Sequence, residues 1–276
     1  MGSRAERGDR WRILAWQLAI LVAIIAAWEY LTSIKAISKT PGLYWIDPFF
    51  ISRPSKIVER FVHLASPSVR LSIWAMAWST VQSTLGGFLV GITTGFAAGL
   101  VLGRSERLAR ISSPFIVAFN SLPRIALVPL ITMIFGFGLL AKIVLAWSIV
   151  FFIVFFNTFQ GARSVDADLI HSARFLGATE GQVMRTVIVP STLAWTFASL
   201  TPSISFALIG VVVGEFIGGE SGGGLGYLII QSLGTLNAAD MMVALLALGV
   251  IGIVMALGIR QLEARLLRWR PEYRKQ

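Results

Sequence analysis

The segment of this chain that most invites a search for a nucleotide site is the glycine-rich run from Gly218 to Gly226. Glycine loops can cradle phosphate, but this run has no Lys-Ser/Thr pair and is not framed by a strand and a helix, which argues against phosphate binding. His63 has no second histidine or carboxylate at ligand spacing, and the absence of cysteine excludes thiol sites and disulfides. No His/Asp/Glu cluster or activated nucleophile is present either, so the sequence predicts no catalytic and no metal site.

A second polar group interrupts an apolar stretch, in the sequence NSLPRIALVPL that begins at Asn120. Proline removes a backbone hydrogen bond, and such breaks at membrane depth are tolerated only against protein or a water-filled cavity. We therefore predict that Asn120, Pro123 and Arg124 line a path, where Arg124 attracts an anionic solute. The alternative is that Arg124 snorkels to a nearby membrane surface. Glu215 is predicted either to line the outer end of the path or to lie at a water-exposed helix end.

The elements that must position these residues are membrane spans. Hydrophobic residues make up 55% of the 276 residues, and only 14% are charged; the mean hydropathy is +0.75, which excludes a soluble globular domain. About twenty apolar residues are needed per crossing. The sequence therefore predicts an all-α membrane protein with six transmembrane helices, at residues 13–31, 79–103, 112–136, 141–160, 191–217 and 239–260.

The net charge of +10 follows the same topology. Arginines precede the first span, follow the second, occupy residues 162–190 and follow the last span, and with six spans all of them lie on one side. This positive-inside pattern places both termini and residues 162–190 in the cytoplasm, and it makes a nucleic-acid partner unnecessary. No small-residue cleavage site follows the first apolar run, so we interpret it as a retained span. The predicted divisions are 1–31, 32–78, 79–262 and 263–276.

The polar connection over residues 162–190, here called the ledge, is long for a membrane protein and indicates a docking site for a soluble partner. Apolar residues at helical spacing predict a short amphipathic helix from Asp166 to Phe175. Gly177 ends this helix, and Thr179 with Gln182 is a capping-box pattern that begins a second one. The alternative is an amphipathic helix that lies on the membrane.

The ledge also resembles a motif of permease subunits in binding-protein-dependent ABC importers: Glu-Ala-Ala, three residues, Gly, nine residues, and an aliphatic pair that ends in Leu-Pro. Ala173, Gly177 and Pro190 fit this motif, whereas His171 stands at the usual Glu and Ser172 at the first Ala. Further segments resemble the taurine, sulfonate and nitrate branch of that family: Ser-Arg-Pro-Ser at 52–55, the prolines after Asn120, and Gly-Leu-Gly at 224–226.

This resemblance implies a type I (MetI-like) importer permease of the bacterial inner membrane. It implies a cytoplasmic ATPase dimer that holds ATP and magnesium, so that this chain itself holds no cofactor. It also implies a second permease subunit, in a homodimer as is common in this branch or in a heterodimer, together with surrounding membrane lipid and an extracytoplasmic solute-binding protein. The substrate class would be a small anion such as a sulfonate, taurine or nitrate, or a small organic acid, although some relatives carry vitamin precursors. The implied ATPase contacts are His171, Ser172, Ala173, Arg174, Gly177, Ala178 and Pro190.

Glycines recur every fourth residue through the second span, and small residues allow helices in lipid to approach closely. We predict that this ridge packs on another helix, either within the subunit or at a subunit interface that moves during transport. Its members are Gly87, Gly91, Gly95, Gly99 and Gly103.

A self-sufficient secondary transporter or channel is the main alternative function. Such proteins usually embed several ionisable relay residues in their spans and often contain inverted repeats. Here the charge within the spans is nearly confined to Glu29, Arg124 and Glu215, and no duplicated half is visible. The sequence therefore favours the importer permease, and a membrane enzyme comes third.

Overall fold

The computed structural model describes residues 3–34, 46–66 and 72–267. Within these ranges the chain forms helices and turns without a strand, so the all-α prediction is confirmed. Residues 35–45, 67–71 and 268–276, which carry parts of the predicted outer segment and tail, lie outside the described residues. The α-helices are α1 (Ser3–Ser33), α2 (Pro48–Ile51), α3 (Pro54–Ala65), α4 (Ile73–Arg104), α5 (Glu106–Ser121), α6 (Val128–Phe135), α7 (Leu139–Arg163), α8 (Ala167–Phe175), α9 (Glu180–Val183), α10 (Val189–Ala198), α11 (Leu200–Gly222), α12 (Leu225–Gly234) and α13 (Ala238–Leu266).

Among the described residues, five helices are long and apolar enough to cross a membrane: α1, α4, α7, α11 and α13. The predicted third span is a pair of helical segments, Glu106–Ser121 and Arg124–Phe135, bent by 80° at the predicted proline break. Counting this pair as one crossing gives the six predicted spans. The second span begins earlier than predicted, because α4 already includes residues 73–78.

The predicted span 191–217 is wrong at its beginning. Residues 189–198 form the separate helix α10, and the membrane-length helix α11 begins at Leu200. Pro202 has no N–H to donate to the carbonyl of Ala198, so the helical hydrogen-bond ladder is interrupted between them. Ser199 closes α10 instead, with its N–H 3.0 Å from the carbonyl oxygen of Thr196.

One compact unit comprises residues up to Ile73 together with Leu228–Leu246. The amphipathic helix predicted near residues 55–64 is present as α3. Glu29 of α1 accepts hydrogen bonds from the backbone N–H and the hydroxyl of Ser55, at 3.0 and 2.9 Å, and so caps the first turn of α3. Arg60 of α3 forms an ion pair with Asp240 at 2.6 Å. Charged contacts thus hold this amphipathic helix.

The second compact unit comprises Trp74–Tyr227 and Ala247 to the C terminus. Its core lies along α7, where small and branched side chains pack against α4 and α11. The side chains of this cluster are all apolar, and several of them are small enough to let the helices approach closely. The buried members are Phe88, Ala146, Val150, Val154, Leu200, Ile204, Ala207 and Val211.

The glycine ridge of α4 lies against α7 along its whole length. A Cβ atom at Gly91 would approach the Cβ of Val150 to 2.6 Å, and one at Gly103 would approach the Cβ of Ala162 to 2.9 Å. No side chain fits at such distances, so α4 and α7 require glycine to approach this closely. The ridge was predicted to pack either within the subunit or at a subunit interface. The contacts with α7 are packing within the subunit.

Candidate functional site

The first helix of the ledge, α8, begins and ends with local hydrogen bonds that its sequence encodes. Asp166 caps it by accepting from the backbone N–H of Asp168 at 2.9 Å. Gly177 adopts a left-handed conformation with φ of 85°. The N–H groups of Gly177 and Ala178 donate to the carbonyls of Arg174 and Ala173, at 2.9 and 3.1 Å. This pair of bonds is a Schellman motif, which closes the helix and reverses the chain.

The second helix of the ledge begins with the predicted capping box. The N–H of Thr179 donates to the side-chain oxygen of Gln182 at 2.8 Å, and the N–H of Gln182 donates to the Thr179 hydroxyl at 3.4 Å. The chain then continues from α9 through a π-helical turn, Met184–Ile188, into α10. Pro190 lies in the first turn of α10, directly after this π-helical turn.

The tip of the ledge exposes two large apolar side chains. Phe175 is 95% exposed and Leu176 is 87% exposed, directly before the Gly177 turn. His171, Ser172 and Arg174 are also exposed, while Ala173 and Ala178 are partly buried. Sequence reasoning missed Phe175 and Leu176, although two large apolar residues inside a polar connection are a visible signal. Exposed apolar residues on a rigid turn are typical of a protein-docking surface.

Two ion pairs join the two helices of the ledge to the end of α4. Glu180 accepts from Arg174 at 2.9 Å and from Arg104 at 2.6 Å. Hydrogen bonding from Arg174, supported by Arg104, holds the pKa of the Glu180 carboxyl below its ordinary value. All three side chains contact water, so each pair contributes little to stability.

The predicted path residues Asn120, Pro123 and Arg124 lie together at the bend between α5 and α6, on a cavity of about 490 Å³. Arg124 donates to the side-chain oxygen of Asn120 at 3.1 Å, and its guanidinium lies 4.5 Å from the ring centre of Phe152. Arg124 has no carboxylate partner within the part of the chain that the structure describes. The rest of the wall is apolar: Ile125, Ile149, Ile153, Phe156, Phe206, Ile209, Gly210 and Val213.

This arrangement can attract an anion in two ways. A guanidinium in apolar surroundings attracts negative charge more strongly than one in water, because the local dielectric constant is low. The Asn120 carbonyl and the Phe152 ring orient Arg124 without neutralising it. The cavity is thus polar at one point and apolar elsewhere, which is typical of a small-molecule site.

Glu215, the fourth predicted path residue, does not belong with the other three. Its side chain is fully buried and contacts neither the cavity nor water, so both predicted placements are wrong. The carboxylate accepts from the hydroxyl of Thr80 at 2.9 Å and from the N–H of Gly226 at 2.8 Å. Burial of a carboxylate requires such partners, because an isolated charge in the interior is very costly.

Lys142 lies beside Glu215, a pairing that the sequence analysis did not predict. Its ammonium lies 3.4 Å from the Glu215 carboxylate and donates to Ser79 at 2.7 Å and to the Gly223 carbonyl at 3.2 Å. Gly224 adopts a φ of 118°, and a Cβ atom at this position would overlap the Glu215 carboxylate. Only glycine therefore leaves space for that carboxylate. The glycine-rich run is therefore fastened to α4, α7 and α11, and it serves as the binding partner of buried charges rather than as a phosphate loop.

No group of three or more His, Cys, Asp or Glu residues that could hold a metal ion occurs in the described part of the chain. Within the described residues, the ledge and the cavity beside Arg124 are the two candidate sites that the sequence predicted.

Comparison with known proteins yields one family. The model of the family described as "Binding-protein-dependent transport system inner membrane component" matches residues 87–268, a range that includes the glycine ridge, the path cavity and the ledge. A chain of the MetNI methionine ABC transporter, solved in inward-facing conformations, has a TM-score of 0.61 to this protein at 22% identity. That alignment covers 71% of this chain and 97% of the MetNI chain. At such identity the likeness shows the fold.

Three relatives align with part or most of this chain. The putative aliphatic sulfonates transport permease protein SsuC of Bacillus subtilis is 33% identical over 175 residues, which is 63% of this chain and 63% of SsuC. This match therefore spans less than two thirds of the length of SsuC. The riboflavin transport system permease protein RibX of Chloroflexus aurantiacus is 34% identical over 162 residues, 59% of this chain and 60% of RibX. The taurine transport system permease protein TauC of Escherichia coli is 26% identical over 269 residues, 95% of this chain and 94% of TauC.

Proposed function

Since the chain belongs to the family of binding-protein-dependent transport system inner membrane components, we propose that it forms the translocation path for a small anion in an ATP-driven importer. In this proposal, an extracytoplasmic binding protein delivers the anion to a pair of these permease subunits in the bacterial inner membrane. A separate cytoplasmic ATPase holds ATP and magnesium and performs all of the chemistry. This chain contributes binding surfaces and movement.

The ledge is the observation that carries the proposal. Its exposed Phe175–Leu176 tip is fixed by a Schellman motif and a capping box, so an apolar anchor is presented on a preorganised turn. Apolar anchors of this kind contribute most of the binding energy in protein interfaces when they fill a pocket of the partner. We assign the pocket to the ATPase. The ledge residues that contact the ATPase around the Phe175–Leu176 tip are then His171, Ser172, Ala173, Arg174, Gly177 and Ala178, and Pro190 supports the start of α10.

The mechanism is a population shift. Closure of the paired ATPases on ATP draws the two ledges of a permease homodimer together, and this movement favours one of two arrangements of the spans. Because the ledge runs through α9 and the π-helical turn into α10, its displacement reaches the bundle along a continuous helical segment. The path then opens alternately to the two sides of the membrane.

Arg124 supports the choice of an anion as substrate. It is an arginine without a carboxylate partner among the described residues, and it lines an apolar cavity together with Asn120 and Pro123. SsuC and TauC, by their names, carry aliphatic sulfonates and taurine, which both contain a sulfonate group. RibX carries riboflavin by its name, so family membership alone leaves the substrate open, and the proposal of an anion rests on Arg124.

A substitution at Gly177 tests the coupling role. Proline cannot adopt the φ of 85° found there and loses the N–H that bonds Arg174. Gly177→Pro is expected to insert normally into membranes, yet to capture no ATPase from extracts of its own cells and to abolish transport. Gly181→Ala is the matched control, because Gly181 lies in the same ledge, within a helix and with open space around it. Full transport by Gly177→Pro would falsify the coupling role, and transport without any ATPase would indicate a secondary transporter.

A second substitution tests the anion. Arg124→Gln keeps a polar hydrogen-bonding side chain, somewhat shorter than arginine, but removes its charge. Loss of one charge-assisted hydrogen bond should raise the half-saturating concentration of the transported anion about tenfold. The measurement is uptake into vesicles that contain the complete transporter, with taurine, an alkanesulfonate and nitrate as probes. Arg110→Gln, on the exposed face of α5, is the control and should transport normally; equal effects of both variants would reject a specific role for Arg124.

A further inference from the structure

A cleft of about 320 Å³ lies between the ledge and the ends of two spans. Helix α4 contributes its last residues, Gly103 and Arg104, and α7 contributes its last residues, Ala162 and Arg163. The ledge helix α8 covers the cleft with Ile170 and Arg174. Neither the coupling role nor the path requires a cavity at this position.

The lining of the cleft carries a net positive charge. Three arginines line it against a single glutamate, Glu106, which is paired with Arg110 at 2.6 Å and also interacts electrostatically with Arg163. Arg104 and Arg174 share Glu180. The Arg163 side chain makes no hydrogen bond to any residue in the described ranges, and its guanidinium lies 5.7 Å from the ring centre of Phe159. Its planar set of N–H donors can therefore bind a tetrahedral oxyanion in a bidentate manner.

The depth of the cleft identifies the source of that anion. Both α4 and α7 are apolar spans, and an apolar span ends where the hydrocarbon meets the lipid headgroups. The cleft is also lined by Val165, Ile170 and Ile188, which a free inorganic anion would not need but which the glycerol and first methylenes of a lipid would contact. Basic pockets between transmembrane helices at the cytoplasmic surface are known sites for anionic headgroups.

We propose that this cleft binds the phosphate of an anionic phospholipid headgroup, with Arg163 as its principal ligand and Arg104 and Arg174 beside it. The bound lipid connects α8 to the ends of α4 and α7 and thereby steadies the ledge. The lipid content of the membrane then influences how firmly the ledge is held. This inference concerns the chain alone and does not depend on which solute is transported or on ATPase binding.

The test uses the full chain in nanodiscs that contain phosphatidylglycerol and phosphatidylcholine in equal amounts. Native mass spectrometry after release from the lipid counts the phosphatidylglycerol molecules that remain bound. The intact protein is expected to retain phosphatidylglycerol over phosphatidylcholine, and Arg163→Gln is expected to weaken this retention about fivefold. Arg185→Gln is the matched control, because Arg185 is an exposed arginine of the same ledge that does not line the cleft, and it should retain the lipid normally.

Three results would overturn the assignment. Equal losses in Arg163→Gln and Arg185→Gln would indicate general surface charge, and equal retention of both lipids would exclude headgroup recognition. Thermal stabilisation by millimolar inorganic phosphate, without preference for phosphatidylglycerol, would assign the cleft to a free anion. Should Arg163→Gln not fold, Arg163→Lys takes its place: reduced retention beside an unaffected Arg185→Lys supports the proposal, and equal retention in the two contradicts it.

Discussion

Helix α7 has a cluster of charges near each end, and the two clusters differ in almost every physical respect. Lys142 and Glu215, near its beginning, have side chains only 3% and 0% exposed. At its other end, about 30 Å away by helical rise, Glu180 pairs with Arg104 and Arg174, and these side chains are 60%, 30% and 46% exposed. We call these the buried cluster and the exposed cluster.

The difference teaches what each cluster can do. A buried pair cannot separate without leaving a charge in a medium of low dielectric constant, so it fixes the elements that carry it. An exposed pair can exchange its partner for water or for another protein at little cost. The buried cluster therefore holds the glycine-rich run to the bundle, whereas the exposed cluster leaves the ledge free to adjust when a partner docks.

Breaking the buried cluster should have the largest effect. Lys142→Met keeps the length and apolar stem of the side chain but leaves Glu215 buried without its cation. The free energy of unfolding is expected to fall by about 3–5 kcal/mol, the usual cost of removing one member of a buried pair. Reversible unfolding in mixed micelles, followed by circular dichroism, measures this change. Unfolding at the same denaturant concentration as the original protein would refute it.

A double variant separates the loss of the pair from the loss of packing. Lys142→Met combined with Glu215→Leu removes both charges, and replacing a buried ion pair by apolar residues is often neutral. The double variant should therefore recover most of the stability that Lys142→Met loses. If it is instead less stable than Lys142→Met, the carboxylate contributes mainly through Thr80 and Gly226 rather than through Lys142.

A smaller effect is expected when a neutral member of the buried cluster is removed. The hydroxyl of Thr80 donates to Glu215 and also accepts from the N–H of Leu225 at 3.0 Å. Thr80→Val should destabilise the protein by about 1–3 kcal/mol, because it leaves buried groups without partners. Thr84→Val is the control. Thr84 is equally buried, but its hydroxyl bonds only the Thr80 carbonyl within its own helix, so this variant should lose less stability than Thr80→Val. Unfolding in the same micelles compares the two.

The two clusters also show which features a sequence reveals. The ledge was predictable because its determinants are local: the caps and the turn join residues at most five positions apart, and each residue type has a strong preference for its place. Phe175 and Leu176 were overlooked because their exposure depends on where the turn points. The same locality made the bend at Pro123 visible.

The buried cluster was beyond sequence reasoning for a physical reason. Lys142 and Glu215 belong to different helices, α7 and α11, and no periodicity or motif relates positions that only tertiary packing brings together. Charge near the end of a span is ordinarily attributed to water, which led to the wrong placement of Glu215. Predicting the break at Ser199 would have required one more step. Pro202 has no N–H, so it removes a hydrogen bond that would have joined α10 to α11.

The smallest effect concerns the exposed cluster and its dependence on pH. The folded pKa of Glu180 lies below its ordinary value, mainly through Arg174. A carboxylate with a lowered pKa contributes fully above the ordinary glutamate pKa of about 4.3, and this contribution is lost as the pH falls through the lower folded pKa. The attachment of α8 should therefore stay constant from pH 8 to about 5 and weaken only below the ordinary glutamate range.

A spin label can measure that attachment directly, because the chain has no cysteine of its own. A nitroxide on Ser172→Cys, an exposed position of α8, should gain mobility only below about pH 4.3. In Glu180→Gln the label should already be more mobile at pH 7, and lowering the pH should cause no further change through this carboxylate. The unfolding midpoint of the variant should not change resolvably. High salt should mimic part of the effect, because exposed pairs are screened. A label whose mobility depends on pH equally in both proteins would show that other groups hold the ledge.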